Sequence, residues 1–428
     1  MPEKHAHDIA RVASRVRRLS ESCPVGFWFL TDLHVPSNHG ESAPLLARLI
    51  AETGLRTVVC GGDVPEAFGD RASLDDSIAR YRRDWVDAIE RAGGAFLPVH
   101  GNHDFAIRAA AGVDDGCTYP PMETRAIMLD TAAVRARATA DPGSCAYCAD
   151  FPEARVRLVV ADTSDSVTQE RPYWGLVDGA GEAQLLWIAE HALSGVPEGW
   201  GIVVASHIPV AGVGANAVDQ VTFAPLASLL AAYQARGHAT VSGRDIDFSG
   251  ARGRILLALS GHHHGELQSC VSGIWHVSEP CDAAYLDYIN RSKPWCPDLP
   301  VKEAGSWAGQ TFDAVQIDPT RGLAHFTRVG GGSDRTLHLA SRVLRVGETA
   351  ALAAATLPDG PARWGTYDGD RATQRPNPAR KYDSFTDYTS RFGDITPDGL
   401  FTARSPGEAV AVATAQNGTR EYIPIVVA

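Results

Sequence analysis

Metal-binding side chains follow five short apolar runs of this chain. The five stretches are Asp32-Leu33-His34, Gly62-Asp63, Gly101-Asn102-His103-Asp104, Ser206-His207 and Gly261-His262-His263-His264. Carboxylate oxygens and imidazole nitrogens bind divalent transition metals, and a pair of such ions suits the hydrolysis of a phosphate ester. The ions polarise phosphoryl oxygens whose negative charge otherwise repels the nucleophile. The pattern therefore predicts a two-metal hydrolase.

The apolar runs have the length of buried strands, and helical stretches separate them. The predicted strands are residues 27–30, 57–60, 95–99, 156–160, 201–205 and 255–259, and the predicted helices are residues 42–53, 77–92, 182–193 and 225–236. Short strands that alternate with amphipathic helices indicate a layered α/β domain. We expect the helices to cover the faces of the sheets, while the loops at the strand ends carry the chemistry.

With 428 residues the chain is too long for one ordinary core, since domains typically have roughly 100–200 residues. We predict three units: an N-terminal packing helix within residues 1–25, a catalytic α/β domain over residues 26–335, and a small all-β domain over residues 336–428. In the first unit, Ile9, Val12 and Val16 have helical spacing, which predicts a helix that packs on the catalytic domain.

Two segments, residues 110–150 and 281–308, interrupt the α/β pattern, and we interpret both as loop insertions that border the site. Aromatic residues in and near such loops are candidate walls of a substrate pocket: Tyr119, Tyr173, Trp174, Trp295 and Trp307. Packing of the loops explains each aromatic residue at least as well.

The order of the five stretches resembles the motif set of the calcineurin-like metallophosphoesterase superfamily, over residues 26 to about 335. The resemblance implies a β-sandwich flanked by helices and two divalent transition-metal ions, for which the mixed O and N ligands leave Mn, Fe, Zn and Ni open. It implies that one ion is bound by Asp32, His34, Asp63 and His264. It implies that the other is bound by Asp63, Asn102, His207 and His262, with Asp63 as the bridge.

The same resemblance implies a catalytic role for His103, which would lie over the phosphate and donate to a phosphoryl oxygen or protonate the leaving group. Asp104 would orient His103. His263 should point away from the metals, because neighbouring side chains in an extended segment alternate. We interpret His100 as an outer-shell or solvated histidine, and Glu66 stands where purple acid phosphatases have a tyrosine ligand, so no tyrosinate-bound ferric ion is expected.

After residue 335 the chain changes to short alternating segments punctuated by Gly, Pro and Asp. The segments Leu344-Arg345-Val346-Gly347-Glu348-Thr349, Ala362-Arg363-Trp364-Gly365 and Gly399-Leu400-Phe401-Thr402-Ala403 resemble the bacterial immunoglobulin-like family. The resemblance implies a small all-β immunoglobulin-like sandwich, through which the chain could bind a surface, a glycan or a protein partner.

Charge and hydropathy restrict the partners. The chain has 39 Lys and Arg against 51 Asp and Glu, a net charge of -12, and no basic stripe for a nucleic-acid backbone. No segment approaches the about 20 apolar residues that span a membrane, and the N-terminus lacks the apolar core of a secretion signal. We expect a cytoplasmic protein, while the immunoglobulin-like module leaves association with a surface or a virion open.

Eight cysteines are scattered along the chain. Cys145 and Cys148 form a Cys-x-x-Cys pair, which could contribute to a zinc site if a second pair converged on it. The sequence has no second pair at zinc-finger spacing, so we expect reduced thiols or a local disulfide.

These observations together predict a dinuclear metallophosphoesterase that hydrolyses a small phosphate ester by attack of a metal-bridging hydroxide. A phosphodiester is favoured, because aromatic insertions could stack a base or cover an apolar group. A phosphomonoesterase or a nuclease of the same superfamily is an alternative, and the acidic charge argues against the nuclease. Another alternative is a surface or phage-particle adhesion protein with vestigial catalysis, against which the complete ligand set argues.

Overall fold

The computed structural model describes residues 4–35, 42–65, 67–104, 107–108, 120–165, 181–212, 224–282, 303, 305–370 and 389–428. The α-helices of these residues are α1 (Ala6–Ser20), α2 (Ser42–Thr53), α3 (Arg71–Arg80), α4 (Asp87–Arg91), α5 (Pro121–Met128), α6 (Ala132–Arg137), α7 (Glu182–Trp187) and α8 (Ala224–Ala235). Two π-helical segments, Tyr81–Val86 and Ile188–Leu193, continue α3 and α7, and a 3₁₀ turn covers Trp307–Gly309.

The strands are short, and they continue to the C-terminus. They are β1 (Val25–Leu30), β2 (Thr57–Cys60), β3 (Ala67–Phe68), β4 (Ala95–Pro98), β5 (Ile107–Arg108), β6 (Ala138–Ala140), β7 (Tyr147–Phe151), β8 (Val156–Ala161), β9 (Gly201–Ser206), β10 (His238–Val241), β11 (Arg244–Asp247), β12 (Arg254–Ser260), β13 (Leu267–Val271), β14 (Ile274–Ser278), β15 (Thr311–Asp318), β16 (Leu323–Gly330), β17 (Arg335–His338), β18 (Arg342–Leu344), β19 (Thr349–Ala351), β20 (Arg363–Asp368), β21 (Gly393–Ile395), β22 (Leu400–Ala403), β23 (Gly407–Thr414) and β24 (Arg420–Val427).

Most strands belong to two large sheets. The first sheet has the order β20-β23-β24-β17-β16-β15-β1-β2-β4, with β18 also paired to β24, and the second has the order β13-β14-β12-β9-β8-β7-β6. Strands β1, β2 and β4 are parallel in the first sheet, and β8, β9, β12 and β14 are parallel in the second. A small sheet, β19-β22-β21, and two strand pairs, β10-β11 and β3-β5, complete the description.

Apolar side chains bury both faces of each large sheet. One core cluster joins Phe29 and Val59 of the first sheet to Val160 and Leu257 of the second, so the two sheets pack face to face. A second cluster packs α7 and α8 on the outer face of the second sheet. A third packs α1, α2, the π-helical segment Tyr81–Val86 and α4 on the outer face of the first. This arrangement confirms the predicted sandwich flanked by helices.

Two predicted helices agree closely with the observed ones in their bounds. Helix α2 has the predicted bounds, and α8 differs by one residue at each end. In α1 the predicted Ile9, Val12 and Val16 are buried, because their spacing places them on one face of the helix. The sequence-based helix over residues 77–92 is in the structure longer and interrupted by a π-helical segment.

The segment that we interpreted as a loop insertion over residues 110–150 differs from this expectation in its described part. Residues 120–150 contain α5 and α6, and β6 and β7 extend the second sheet by antiparallel pairing. The sequence pattern did not predict these elements, because Ala, Asp, Pro and Cys dominate the segment and its helices are too short to show a clear apolar period. Of the second predicted insertion, residues 283–302 lie outside the described residues.

The C-terminal part is all-β in its described residues, as predicted. Its strands continue the first sheet: β17 pairs in parallel with β24 and antiparallel with β16. The immunoglobulin-like identity of residues 336–428 and the boundary at residue 335 stay predictions.

The described cysteines Cys23, Cys60, Cys145, Cys148, Cys270 and Cys281 are buried free thiols. Within the described part of the chain, no helix has the length and apolar character needed to cross a membrane.

Candidate metal centre

The carboxyl ends of five strands bring the predicted ligands to one edge of the sandwich. Asp32, Asp63 and Asn102 follow the parallel strands β1, β2 and β4. His207 and His262 follow the parallel strands β9 and β12 of the facing sheet. The two sets meet where His207 Nε2 lies 3.1 Å from Asp63 Oδ2. The site therefore lies where α/β folds commonly place their ligands, outside the carboxyl ends of parallel strands.

A first ligand group consists of Asp32, His34 and His264, whose donor atoms lie within 4.8 Å of one another. His264 Nε2 lies 3.0 Å from Asp32 Oδ1 and 3.2 Å from His34 Nε2. One carboxylate oxygen and two ring nitrogens thus face the same point, and all three side chains are buried or nearly so. This mixture of O and N ligands fits a divalent transition metal.

A second ligand group consists of Asp63, His207 and His262, again within 4.8 Å. Asn102 completes it, because its Oδ1 lies 3.0 Å from His207 Nε2 and 2.9 Å from His262 Nδ1. His34, Asp63 and His103 form a further group that overlaps both others. Asp63 therefore lies between the two predicted metal positions, within reach of His34 on one side and of His207 on the other.

The carboxylates in and beside the second group favour a positive charge between its side chains. The Gly61 carbonyl accepts a hydrogen bond from His207 Nδ1 at 2.8 Å, so Nε2 is the atom that faces Asp63 and Asn102. Burial disfavours a charged His207, but the carboxylates of Asp63 and Asp32 outweigh it and raise the pKa of His207 to about 9. A divalent ion among the oxygens of Asp63 and Asn102 would meet the same demand.

Five of the seven predicted ligands share an unusual backbone conformation. Asp32, His34, Asp63, His262 and His264 all have positive φ, between 49° and 66°. Side-chain-bearing residues rarely adopt this left-handed region, and such strain persists where the surrounding structure imposes it. The backbone strain is thus concentrated in the loops that carry the two ligand groups.

Glycines next to the ligands allow the loops to approach closely. A Cβ on Gly261 would lie 2.0 Å from Thr31 Oγ1 and 2.3 Å from Asp32 Oδ2. Thr31 Oγ1 in turn donates to Asp32 Oδ2 at 2.8 Å, and the backbone N–H of His262 donates to the same oxygen at 3.0 Å. Asp32 is therefore held in one orientation by contacts that leave no room for a side chain at residue 261.

Asp104 holds the loop of Asp63 against the loop of Gly101. Its Oδ2 accepts from the backbone N–H of Gly101 at 2.7 Å and of Asp63 at 3.2 Å, and its Oδ1 accepts from Val64 at 2.6 Å. Burial and the charge of Asp63 raise the pKa of Asp104 to about 7, although these N–H donors oppose the change. The structure thus gives Asp104 backbone contacts that the sequence did not indicate, and its predicted role in orienting His103 stays a prediction.

His103 lies at the edge of the two groups. Its side chain is 15% exposed, against 0% for His207, 1% for His34 and 9% for His264. Its backbone N–H donates to Asp63 Oδ1 at 2.8 Å, and its Nε2 lies 3.9 Å from Asp63 Oδ2. The ring can therefore face a substrate while the backbone of the same residue helps to orient Asp63.

A buried ion pair beside the site was not predicted. His100 Nδ1 lies 2.9 Å from Asp162 Oδ1, and the backbone N–H of Cys145 donates to Asp162 Oδ2 at 2.9 Å. Burial opposes the charge on His100, but Asp162 outweighs it and raises the pKa of His100 well above its usual range. We interpreted His100 as an outer-shell or solvated histidine, and the structure buries it. The position of Asp162 at the end of β8 was the available signal.

All nine predicted site residues lie in this cluster or directly beside it, and their roles stay predictions. His263 is in none of the ligand groups found among the described residues. Of the candidate pocket aromatics, Trp307 packs against the third core cluster with its ring 5.6 Å from that of His5. The others, Tyr119, Tyr173, Trp174 and Trp295, lie outside the described residues, as does Glu66.

Comparison with known proteins gives a match over residues 26–266 to the family model of the calcineurin-like phosphoesterases. The matched range contains every one of the nine predicted site residues. The comparison with curated proteins gives no match.

Solved structures with related folds are distant in sequence. The chain is 13% identical to GAP50, the anchor in the inner membrane complex of Plasmodium, covering 71% of this chain and 84% of that one, with a TM-score of 0.35. It is 12% identical to phosphopantetheinyl hydrolase from Mycobacterium tuberculosis, covering 60% and 89%, with a TM-score of 0.28. It is 12% identical to a predicted phosphoesterase from Streptococcus pneumoniae TIGR4, covering 73% and 95%, with a TM-score of 0.25.

Proposed function

Because the chain belongs to the calcineurin-like phosphoesterase family, we propose that it is a dinuclear metal-dependent phosphoesterase. The observation that carries the proposal is the position of Asp63 between two ligand groups of mixed O and N donors. One carboxylate that reaches both groups is what a bridged metal pair requires. Asp32, His34 and His264 would hold one ion, and Asn102, His207 and His262 the other.

In the proposed reaction, the metal ions and the residues that hold their ligands have different roles. When bound, the two ions would polarise the phosphoryl oxygens and lower the pKa of a water molecule. The Gly61 carbonyl keeps His207 in one tautomer, and the Thr31 hydroxyl keeps Asp32 in one orientation, so the ligands are held before substrate arrives. Pre-arranged ligands avoid the cost of reorganisation during the reaction.

His103 is our candidate for a direct catalytic group. It lies at the accessible edge of the site, where a phosphate ester would approach, and its ring can donate a hydrogen bond to a phosphoryl oxygen or a proton to the leaving alkoxide. The proposed substrate is a small phosphate ester, with a diester favoured over a monoester. The net charge of -12 and the lack of a basic stripe in the sequence argue against long nucleic acid.

The first experiment measures hydrolysis of bis-p-nitrophenyl phosphate and p-nitrophenyl phosphate by metal-stripped protein, with Mn, Zn, Fe or Ni added back. Asp63→Asn should abolish metal-dependent turnover, because an amide cannot bridge two ions as a carboxylate does. Asp245→Asn, the same change at an exposed hairpin position, is the matched control and should leave turnover intact.

The diester-to-monoester ratio decides the subclass. Metal-dependent turnover that Asp63→Asn removes and Asp245→Asn keeps would support the proposal. Turnover that survives Asp63→Asn, or that needs no metal, would contradict it.

A further inference from the structure

A buried cluster of six charged side chains connects the loop of His262 and His264 with the C-terminal strands. We call it the arginine–carboxylate cluster, and it consists of Arg328, Arg335, Arg420, Glu266, Glu279 and Asp313. The exposure of each side chain is between 0% and 9%. Three arginines face three carboxyl groups, so the loss of one member leaves buried partners without its contact.

Glu266 is the member closest in sequence to the metal ligands, because it follows His264 by two residues. Its Oε2 accepts from Arg328 Nη2 and from Arg335 Nη1, both at 2.7 Å. Its Oε1 accepts from Arg420 Nη1 at 3.2 Å. Three arginines from β16, β17 and β24 therefore hold one end of the metal-binding loop.

Glu279 holds the other end of the loop. Its backbone N–H donates to the Ser260 carbonyl, the last residue of β12 before the loop, at 2.9 Å. Its side chain accepts from Arg328 Nη2 at 3.2 Å and from Arg335 Nη2 at 2.5 Å. The cluster thus fixes both ends of the segment whose His262 and His264 have positive φ.

Arg420 brings the C-terminal segment into this network. It begins β24, pairs with Arg335 across the parallel β17–β24 ladder, and lies within residues 336–428, the predicted C-terminal domain. Groups that contact a metal-binding segment without binding the metal orient the ligands on that segment. The cluster should therefore constrain the geometry of the loop as well as its stability.

We propose that Arg420 of the C-terminal segment is a positioning residue for the metal centre, acting through Glu266 on the loop that carries His262 and His264. This inference rests on the proposed function, because it presumes that these histidines bind metal. It gives residues 336–428 a part in building the site.

The test compares Arg420→Met, Arg420→Lys and Ile425→Ala in the full chain. Arg420→Met removes the charge and keeps an apolar stem, and Arg420→Lys keeps the charge without the fork of donors. Ile425→Ala removes buried apolar contacts from the same strand, away from Glu266, and serves as the control for lost stability. The readouts are thermal stability, metal ions bound per chain, metal affinity by competition with a chelator, and hydrolysis of the p-nitrophenyl esters.

We expect Arg420→Met to weaken metal affinity by about 10-fold, the lower end of the range for lost partners of metal ligands, because Arg420 acts on the ligands only through Glu266. Arg420→Lys should recover part of this loss. Ile425→Ala should lower thermal stability without a change in metal affinity. Should Arg420→Met fail to fold, an unchanged metal affinity in Arg420→Lys overturns the inference and a weakened one supports it.

Two failures are distinguishable in this design. If the wild-type chain binds no metal and hydrolyses neither ester, the proposed function fails and takes the inference with it. If the wild type does both, and the Arg420 variants match Ile425→Ala in metal affinity, the inference alone fails.

Discussion

Asp63 and His103 are in contact, yet their surroundings suit them to different tasks. Asp63 is almost fully buried between the two ligand groups, whereas His103 lies at their accessible edge. A buried carboxylate among histidines suits metal binding, while an accessible imidazole can exchange protons with a substrate. The two residues should therefore separate metal binding from proton transfer.

We predict that His207→Ala and His103→Gln give opposite patterns. His207→Ala should lower the number or affinity of bound metal ions, because His207 lies within 3.1 Å of Asp63 at the centre of the second group. His103→Gln should keep the metal content and lower kcat by about 10²- to 10⁴-fold, the range for loss of a general acid. Metal analysis and steady-state kinetics on both variants check this, and loss of metal from His103→Gln would speak against the assigned roles.

The sequence predicted which residues meet at the site, because each follows an apolar run that forms a buried strand. It did not predict the contacts of Asp104 with three backbone N–H groups, nor the pairing of His100 with Asp162. Backbone partners have no residue type to recognise, and pairs such as His100 and Asp162 are far apart in sequence. The sequence also did not predict the pairing of Arg328 with Asp313, because each is a single charged residue within a strand and nothing near it in sequence indicates its partner.

At the scale of the elements, the turn after β12 depends on the absence of a side chain at Gly261. We predict that Gly261→Ala displaces Thr31 and Asp32, because its Cβ would lie 2.0 Å from Thr31 Oγ1. Metal affinity should fall at least about 10-fold, as expected when the orientation of ligands is disturbed. Gly250→Ala is the matched control, since no atom lies within 4 Å of a Cβ there. Equal metal affinities in the two variants would contradict the argument.

Strand β14 carries a buried histidine that should make the fold sensitive to acid. Burial lowers the pKa of His276 to about 4. The pKa of a histidine in an unfolded chain is about 6.5. Between these two pKa values the unfolded chain therefore binds a proton that the folded chain excludes. Stability is therefore lost as the pH falls from about 6.5 towards 4, at most about 3 kcal/mol for this group.

We predict that His276→Gln removes this component of the acid sensitivity. The difference in free energy of unfolding between variant and wild type should shift in favour of the variant by up to about 3 kcal/mol between pH 7 and pH 4. Urea denaturation at several pH values measures it, and His238→Gln at an exposed hairpin controls for the change of side chain. A difference that is the same at every pH would refute the prediction.

Periodicity predicted the positions of the main strands and helices but could not predict how the segments join. The π-helical segments in residues 81–86 and 188–193 keep the apolar face that an α-helix would have, so the sequence pattern does not distinguish them. The change in composition after residue 335 predicted a separate unit, whereas β17, at that point, pairs on both sides within the first sheet. A change in composition predicts where the type of strand changes, but it does not predict which strands pair with one another.

At the scale of the whole molecule, the C-terminal strands share the core of the catalytic part. Val410, Val412 and Tyr422 belong to the same apolar cluster as Trp275, and the Tyr367 hydroxyl donates to the Gln268 carbonyl at 3.0 Å. Strand β24 also covers the edge of β17. Removing these strands would expose apolar surface together with an unpaired strand edge, both of which promote aggregation.

We therefore predict that a chain ending at residue 336 does not fold into a stable enzyme. It should be recovered mainly as aggregate and should lack a cooperative thermal transition, because the cut removes part of the inner core and the Arg420 partner of Glu266. Sedimentation and calorimetry of the truncated and full-length chains measure this. A monomeric, cooperative truncation product with full turnover would instead mean that residues 337–428 serve binding or targeting, and that the contacts across the sheet add little to the stability of the catalytic part.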